Sequence, residues 1–295
     1  MATSIAANAW IDPRAQIDPE VEIGPFCTIG PGAKIGSGSR LLSHVTIMGN
    51  VTLGRNNTIY PNVVLGAEPQ DISYDGTETS VIIGDGNILR EGVTVNRGTS
   101  KEDGITVIGN DNFLMGNVHV AHDCKLGSNI VIANGTLLAG HVHIQDFAAL
   151  SGGPRRRCQT RRTDLLAARE PGRSAALSGG CAVHHFVTIG SYSFLAGLSR
   201  ALHDVPPYML AEGIAAHPRC INIVALKRRN FSPRAIDSLA AAHRLLYRSK
   251  VGLSHAREIL RSNDQETPEV LYLVNFLEQQ QEGKHGRGRE MRNAA

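Results

Sequence analysis

The feature that most constrains this chain is an aliphatic residue at every sixth position of its N-terminal part. The series keeps one phase and consists of Ile5, Ile11, Ile17, Ile23, Ile29, Ile35, Leu41, Ile47, Leu53, Ile59 and Leu65. A period of six fits neither the 3.6-residue period of an α-helix nor a long alternating strand. It is typical of short strands joined by tight turns, with the aliphatic side chain inside and glycine or asparagine at the turns. Three such sides, about 18 residues, then make one triangular coil.

Two segments interrupt this period without ending it. GAEPQDISYDGTETS at 66–80 is followed by aliphatic residues back in phase, whereas NRGTSKEDGIT at 96–106 shifts the count by one position. The series continues as Ile83, Leu89 and Val95, and then as Ile108, Leu114, Val120, Leu126, Ile132, Leu138, Ile144 and Leu150. The pattern predicts two loops that leave a continuous coil, and loops on a rigid scaffold commonly carry binding residues.

A duplicated segment marks a third interruption. The letters AALSGG occur at 148–153 and again at 175–180, and the hexads lose their phase between the two copies. Removing 27 residues, either 148–174 or 154–180, places Val183 six positions after Leu150 and restores the period. We therefore predict a 27-residue insertion at about 154–180, flanked by the duplicated AALSGG.

The insertion is basic and admits three interpretations. Residues 154–174 contain seven arginines against Asp164 and Glu170, a net charge of +5, so the rest of the chain carries −2 of the total +3. The segment could be an arm for nucleic acid or another acidic partner, a regulatory lid, or a functionally neutral insertion, including an error in the gene sequence. A short basic run without interleaved aromatic residues is usually a solvated loop. Together with the flanking duplication this favours the neutral insertion, and we expect no nucleic-acid partner.

The hexads fade after Leu195, and the chain changes character. The segment HDVPPYMLAEG at 203–213 contains a double proline, which cannot continue a regular ladder. We predict a β-helical domain over 1–202, a linker and C-terminal helical domain over 203–282, and a mobile polar tail over 283–295.

Helix signals occur only in this second region. Ser232 followed by Pro233 is a favoured N-terminal cap and first helical residue. Two further helices are predicted at about 253–262 and 268–280. A triangular β-coil leaves flat faces exposed, and three such prisms packed side by side would cover them, so the architecture predicts a homotrimer with sites in the clefts between chains.

Composition limits the compartment and the class of site. No apolar run reaches the length of about 20 residues that a transmembrane helix needs. The N-terminus lacks a basic stretch followed by an apolar one, so we expect a cytoplasmic protein without stable membrane insertion. The five cysteines lack C-x-x-C spacing, which argues against a cysteine-based zinc site.

Histidines collect in the late coils. His122 and His141 lie 19 positions apart, close to one coil, and without the insertion His184 follows 16 positions later, which predicts a column of imidazoles on one edge. The segments concerned are NVHVAHDC with His119 and His122, AGHVHI with His141 and His143, and AVHHF with His184 and His185. These residues could be polar turn formers, zinc ligands, or a general base. The acid directly after His122 favours a base whose basicity is raised by a carboxylate.

These segments together resemble the family of UDP-N-acetylglucosamine O-acyltransferases that begin lipid A biosynthesis. The resemblance rests on GAEPQDISYDGTET, NRGT, NVHVAHDCKLGSNIVIAN, LAGHVHI, AVHHFVTIG, DVPPYMLAEG and ALKRRNFS, and spans about residues 5 to 285 apart from the insertion. It implies a mainly β fold, a left-handed parallel β-helix of hexapeptide repeats followed by a small α-helical domain, and a homotrimer. The implied reaction moves an (R)-3-hydroxyacyl chain from acyl carrier protein to the 3-hydroxyl of UDP-N-acetylglucosamine, with no cofactor and no metal.

The resemblance also implies roles for individual residues. His122 would be the general base, Asp123 would orient it, and the Gly140 backbone N–H would stabilise the oxyanion, with direct transfer and no acyl-enzyme. Gly197 would affect acyl-chain length. The substrate-binding residues implied are Gln70, Asp71, His119, His141, His184, Asn222, Arg228 and Arg229.

Three positions depart from the family pattern. Ser73 stands where a lysine is frequent, Val224 where a glutamate is frequent, and His185 where glutamine is usual. These departures leave open a hexapeptide acyltransferase for a variant amino-sugar nucleotide. A protein of the same fold inactivated by the insertion is the second alternative. A related N-acyltransferase is disfavoured, since its extra N-terminal domain would have to precede hexads that already begin at Ile5.

Deleting 154–180 tests the neutral-insertion interpretation. We expect both the full chain and the shortened chain to transfer hydroxyacyl groups from acyl carrier protein to UDP-N-acetylglucosamine, because the deletion leaves the hexads in phase. The measurement is the turnover rate of each purified protein. Activity in the shortened chain alone would instead make the insertion inhibitory, and two inactive proteins would contradict the assigned substrate.

Overall fold

A computed structural model describes residues 3–151, 179–286 and 289. The predicted insertion therefore lies outside the described residues, apart from Gly179 and Gly180.

Short strands recur along the described chain from Ser4 to Ile221. In chain order, β1 to β28 are Ser4–Ile5, Trp10–Ile11, Gln16–Ile17, Glu22–Ile23, Thr28–Ile29, Ala33–Ile35, Arg40–Leu41, Thr46–Ile47, Asn50–Leu53, Thr58–Ile59, Val64–Ala67, Ser80–Ile83, Ile88–Leu89, Thr94–Asn96, Ile105–Ile108, Phe113–Leu114, His119–Val120, Lys125–Leu126, Val131–Ile132, Leu137–Leu138, His143–Ile144, Ala149–Ser151, Ala182–Val183, Thr188–Ile189, Phe194–Ala196, Arg200–Ala201, Met209–Glu212 and His217–Ile221.

The strands form three parallel sheets, the sides of a prism. The first sheet takes β1 and every third strand up to β25, followed by β27 and β28; the second runs from β2 to β26; the third runs from β3 to β24. Ile23 pairs with Leu41, 18 positions later, so one coil has three sides of six residues, as predicted. Only the β27–β28 pair is antiparallel among the described strands. The fold is a mainly β, hexapeptide-repeat parallel β-helix followed by a small helical region.

The repeated aliphatic side chains form the core, as the period predicted. From Ile23 to Leu195 the inward positions of the described coils are buried. Ile5, in contrast, is 48% exposed, because no coil lies beneath the first one. A ladder of buried asparagines holds adjacent coils in register: the Asn57 carboxamide oxygen accepts from the Asn87 backbone N–H, and that of Asn87 accepts from the Asn112 N–H.

Strand pairing measures the length of each interruption. Leu65 pairs with Val95, 30 positions later, across the first loop. Across the insertion Leu138 pairs with Val183, 45 positions later, which is 27 more than the 18 of an uninterrupted coil. Both predicted loops leave the same edge of the prism, the one that follows the strands of the second sheet.

Four helices follow the prism: α1 Ile223–Arg228, α2 Pro233–His243, α3 Leu253–Ser262 and α4 Pro268–Gln281. Ser232 caps α2 as predicted, since its hydroxyl accepts from the Ala235 N–H. The prediction missed α1 and the π-helical turn Arg244–Arg248 that continues α2. The domain boundary at residue 203 stays a prediction. β27 lies beyond this residue, but it still pairs with β25 in the first sheet. No helix in these described ranges has both the length and the apolar character that a membrane-spanning segment requires.

Part of the predicted tail, residues 283–286 and Arg289, belongs to the described chain. The His285 ring stacks on Phe276 with centroids 4.7 Å apart. Gly286 lies so close to Asp204 that a Cβ there would approach the carboxylate to 2.9 Å. The Arg289 side chain donates to groups of the late coils. These residues therefore contact α4 and the prism, and the mobile tail over 283–295 stays a prediction for the rest.

Asp204 makes stability depend on pH. Burial raises the pKa of this carboxyl to about 6, although it accepts a hydrogen bond from the Thr188 N–H. A raised pKa means that the folded state holds the proton more tightly than the unfolded state, so this contribution to stability is full below pH 3.8 and is lost as pH rises through about 6.

Asp204→Asn removes that titration while its amide oxygen can still accept from Thr188. Raising the pH from about 4 to about 7.5 should lower the melting temperature of the wild type more than that of the variant. The corresponding difference in unfolding free energy is at most about 3 kcal/mol. Calorimetry of both proteins across this range measures the difference. Parallel curves would contradict the buried, titrating carboxyl.

Candidate active site

A buried histidine–aspartate pair lies at the corner after β17. His122 Nδ1 is 2.9 Å from Asp123 Oδ2, and the two residues are 6% and 0% exposed. Asp123 has a φ of 59°, a left-handed conformation that aspartate adopts more readily than most residues. The corner turn therefore places the carboxylate beneath the imidazole of its own neighbour.

Thr99, from the second loop, holds the Asp123 carboxylate. Its backbone N–H donates to Oδ1 at 2.9 Å and its hydroxyl donates to Oδ2 at 2.7 Å. Burial opposes ionisation of Asp123, but the hydrogen bonds from His122 and Thr99 outweigh it and lower the pKa of this carboxyl. An ionised Asp123 accepts a hydrogen bond from His122 Nδ1–H, which leaves the Nε2 lone pair of His122 for a substrate.

The next coil brings Gly140 and His141 to the same corner. The His141 N–H donates to the His122 carbonyl at 3.0 Å, and the two imidazoles meet edge to face with centroids 5.1 Å apart. A Cβ at Gly140 would lie 2.5 Å from His122 Cε1. Only glycine fits beneath the His122 ring, and the predicted proximity of His122 and His141 is confirmed.

The third ring of this column is Phe186, where His184 was predicted. Phe186 stacks on His141 with centroids 4.4 Å apart and planes 3° from parallel. With the 27 inserted residues discounted, Phe186 follows His141 by one whole coil, whereas His184 falls two residues short of that register. The His184 ring instead lies against His185, at a centroid distance of 5.3 Å.

Charged groups from the second loop surround the cluster. Glu102 Oε1 lies 3.1 Å from His141 Nδ1, and the Lys101 ammonium donates to Asp71 Oδ2 at 2.6 Å. The hydrogen bond from Lys101 contributes most to lowering the pKa of Asp71, which lies far below its usual range. Lys101 therefore joins the two loops, and the Asp71 carboxylate is ionised.

The remaining predicted residues lie at varying distances from this cluster. His119 Nδ1 is 2.7 Å from the Thr94 hydroxyl, and burial, helped by nearby His122, lowers the pKa of His119. Gln70 is exposed on the first loop. Gly197 lies in the turn after β25.

The predicted nucleotide-binding residues belong to the helical region. Asn222 is 7% exposed; its oxygen caps α1 and its amide nitrogen donates to the Tyr192 carbonyl. The Arg229 guanidinium lies 4.4 Å from the centroid of the Phe147 ring, and Arg228 is exposed. Among the described residues, no hydrogen bond or ring contact joins these three to the His122 cluster, so their roles stay predictions.

The cluster also has donors that could hold a metal ion. Single ligand atoms of His122, Asp123 and His141 lie within 4.8 Å of one another. However, both Asp123 oxygens already accept hydrogen bonds from Thr99, and Oδ2 also accepts from His122. This donor set fits a carboxylate that orients an imidazole better than it fits a metal ligand.

Sequence reasoning missed four residues that support the site: Thr99, Glu102, Phe186 and Arg289. Thr99 could have been found, since it ends the NRGT segment that drew attention to the second loop. Phe186 could also have been found, since it follows His141 by one whole coil once the insertion is discounted. Glu102 and Arg289 carry no sequence signal, because only the fold of the second loop and the return of the chain beyond α4 bring them close to His141.

Comparisons with known proteins agree in indicating one family. A family profile described as UDP N-acetylglucosamine O-acyltransferase, domain 2, matches residues 204–287, and a bacterial transferase hexapeptide profile matches 2–37, 32–67 and 105–140. The acyl-[acyl-carrier-protein]–UDP-N-acetylglucosamine O-acyltransferase of Burkholderia mallei is 36% identical over 74% of this chain and 75% of its own length. That of Aliivibrio salmonicida is 37% identical over 75% and 74%.

Solved structures give the same result. LpxA from Acinetobacter baumannii superposes with a TM-score of 0.81 at 36% identity, covering 93% of this chain and 96% of its own. LpxA from Bacteroides fragilis, a UDP-N-acetylglucosamine acyltransferase, has a TM-score of 0.80 at 34% identity, covering 92% and 96%.

Gly140→Ala tests the contact beneath His122. The added methyl group would overlap the imidazole, so we expect the ring to swing off Asp123 and the protein to lose about 1–3 kcal/mol of unfolding free energy. A crystal structure and thermal denaturation measure the two effects. Gly116→Ala is the matched control, because Gly116 has the same position in its six-residue repeat and its Cβ would meet nothing closer than 3.4 Å. A His122 ring that stays on Asp123 in Gly140→Ala would contradict the close fit.

Proposed function

Because this chain belongs to the acyl-[acyl-carrier-protein]–UDP-N-acetylglucosamine O-acyltransferase family and is an O-acyltransferase, we propose that it carries out the first step of lipid A biosynthesis. In this step an (R)-3-hydroxyacyl chain passes from acyl carrier protein to the 3-hydroxyl of UDP-N-acetylglucosamine. The names of the relatives contain both acyl carrier protein and UDP-N-acetylglucosamine, which supports these two substrates.

The observation that carries the proposal is the buried Thr99–Asp123–His122 chain of hydrogen bonds. An ionised carboxylate on Nδ1 fixes the tautomer of His122 and raises its readiness to accept a proton at Nε2. His122 is then the general base, and Asp123 is its orienting partner. Thr99 keeps Asp123 in place.

The reaction needs no acyl-enzyme. His122 Nε2 takes the proton of the sugar hydroxyl as its oxygen attacks the thioester carbonyl, and a tetrahedral oxyanion forms. When the oxyanion collapses, the carbon–sulfur bond breaks and the carrier thiolate takes the proton from His122. A thioester is already activated, so one base suffices for both halves of the reaction, and no cofactor or metal is required.

The Gly140 backbone N–H would stabilise the oxyanion. This N–H has no acceptor among the hydrogen bonds of the described residues, and Gly140 lies close to the His122 ring. A backbone donor fixed by a β-coil requires little reorganisation when charge develops, and loss of one such donor typically costs about 10²–10³-fold in rate.

The two loops and the histidine corner would bind the sugar. Asp71 and Gln70 would accept from and donate to its hydroxyl and amide groups, and Lys101 fixes the Asp71 carboxylate. His119, His141 and His184 would complete this part of the site. Asn222, Arg228 and Arg229 would hold the uridine diphosphate, and Gly197 would leave room for the acyl chain.

A homotrimer would complete the site and cover the sheets. Outward-facing apolar side chains on the prism, Ile82, Ile88 and Leu137, are 40%, 39% and 53% exposed in the single chain. Contact with neighbouring prisms would remove such side chains from water. We propose that the nucleotide-binding residues meet the His122 cluster across such a contact.

His122→Ala and Asp123→Asn test the mechanism. We expect kcat to fall about 10²–10⁴-fold in His122→Ala, since a general base is lost, and by a smaller factor in Asp123→Asn. The assay follows acyl transfer from hydroxyacyl carrier protein to UDP-N-acetylglucosamine at several pH values.

His255→Gln is the control, because His255 is exposed on α3 and its imidazole pairs with the likewise exposed Glu258. Its kcat should match that of the wild type. An assembled His122→Ala protein that retains wild-type turnover would overturn the general-base assignment.

A further inference from the structure

Arg289 reaches the active-site corner from the part of the chain beyond α4. One terminal nitrogen of its guanidinium donates to the His141 carbonyl at 2.8 Å and to the Phe186 carbonyl at 2.5 Å. The other lies 2.6 Å from His143 Nε2. One side chain from beyond α4 thus joins three residues of two consecutive coils.

The residues that accept these bonds are the ones that form the ring stack. His141 and Phe186 occupy the same place in successive coils, and both have a φ of 63°. Such left-handed corners are unfavourable for residues with a side chain. The guanidinium bridges both corner carbonyls and so fixes the spacing of the two turns that carry the stacked rings.

The charge of Arg289 is balanced where it lies. Burial lowers the pKa of this guanidinium, whereas the nearby carboxylates of Glu102 and Asp204 oppose that effect. The neutral form of His143 can lie beside this cation. Burial and, to a smaller extent, the charge of Arg289 lower the pKa of His143 to about 4. At neutral pH His143 is therefore uncharged and can accept a hydrogen bond from Arg289.

Two contacts lead the chain to this position. His285 stacks on Phe276 of α4, and Gly286 lies against the Asp204 carboxylate, where a Cβ would come within 2.9 Å. Gly286 has a φ of 58°, so both its conformation and its contact favour glycine. These contacts hold His285 against α4 and Gly286 against the prism.

We propose that Arg289 is a positioning residue of the active site: its guanidinium clamps the His141 and Phe186 corners and thereby holds the His141 ring against His122. The role rests on the proposed function, because His141 is there a sugar-binding residue beside the base. Among the described contacts, Arg289 has none with His122. One guanidinium nitrogen serves both carbonyls while the other reaches His143, and a lysine, with a single nitrogen, could not hold all three groups in the same way.

The kinetic test compares Arg289→Ala, Arg289→Lys and the control Arg261→Ala well below their melting temperatures. Arg261 is 81% exposed on α3, so its variant should match the wild type. Arg289→Ala should lose about 10–100-fold in kcat/KM, with a raised KM for the sugar nucleotide, because small displacements of positioned groups are costly. Arg289→Lys should recover only a minor part. Guanidinium ion at non-denaturing concentration should restore turnover to Arg289→Ala without restoring its melting temperature.

A spectroscopic test is independent of turnover. The groups whose charges act on His143 are Arg289, Glu102, Lys125 and His285. Loss of the Arg289 cation should raise the pKa of His143, followed by NMR titration of its imidazole. A crystal structure of Arg289→Ala should show the His141 ring displaced from Phe186.

The outcomes separate the two proposals. A wild type that does not transfer acyl groups to UDP-N-acetylglucosamine overturns the proposed function, and the His143 titration and the ring stack then decide the role of Arg289. An active wild type with an Arg289→Ala variant of equal kcat and KM overturns the positioning role. A lower melting temperature with unchanged kinetics also overturns it, since Arg289 would then serve stability alone.

Discussion

The stacking of 18-residue coils on a column of buried aliphatic side chains is the constraint on which the rest of this structure depends. Each coil buries one aliphatic residue per side, as in the Ile23–Leu41 pair, and a shift of one residue would turn that side chain outward. Register is therefore strongly specified. The same register decides which corner residues meet: Gly140 lies beneath His122, and Phe186 lies against His141.

One edge of the prism gathers the two loops and the histidine corners of the candidate site. The first loop, the second loop and these corners of the late coils all follow strands of the second sheet. Rigid coils carry His122 and Gly140, whereas the loops carry charged residues that could not face the apolar interior. The Lys101–Asp71 and Thr99–Asp123 contacts connect the two kinds of element. A rigid scaffold that carries some site residues and loops that carry the others suit a reaction whose rate depends on the positions of the reacting groups.

The charged groups beside His122 and His141 are partly or fully buried, and each has a hydrogen-bond donor or an opposite charge beside it. Asp123 is fully buried, yet hydrogen bonds from Thr99 and His122 keep its pKa low. On the other side of His141, the Arg289 guanidinium is balanced by Glu102 and Asp204. Buried charges of this kind are tolerated only when they are paired and hydrogen-bonded. The family assignment identifies the reaction class, and this pattern of paired charges identifies the corner at which the chemistry would take place.

The sequence by itself determined the β-coil, its 18-residue turn, the loops, the start of α2 and the proximity of His122 and His141. These follow from periodicity and from local cap chemistry, which depend on residues close in the chain. Only the tertiary structure decided that Thr99 and Arg289 support the site and that the Phe186 ring stacks where the coil register places it. The Thr99 and Arg289 contacts join residues separated by a loop or by the whole helical region, and such separations leave no periodic signal.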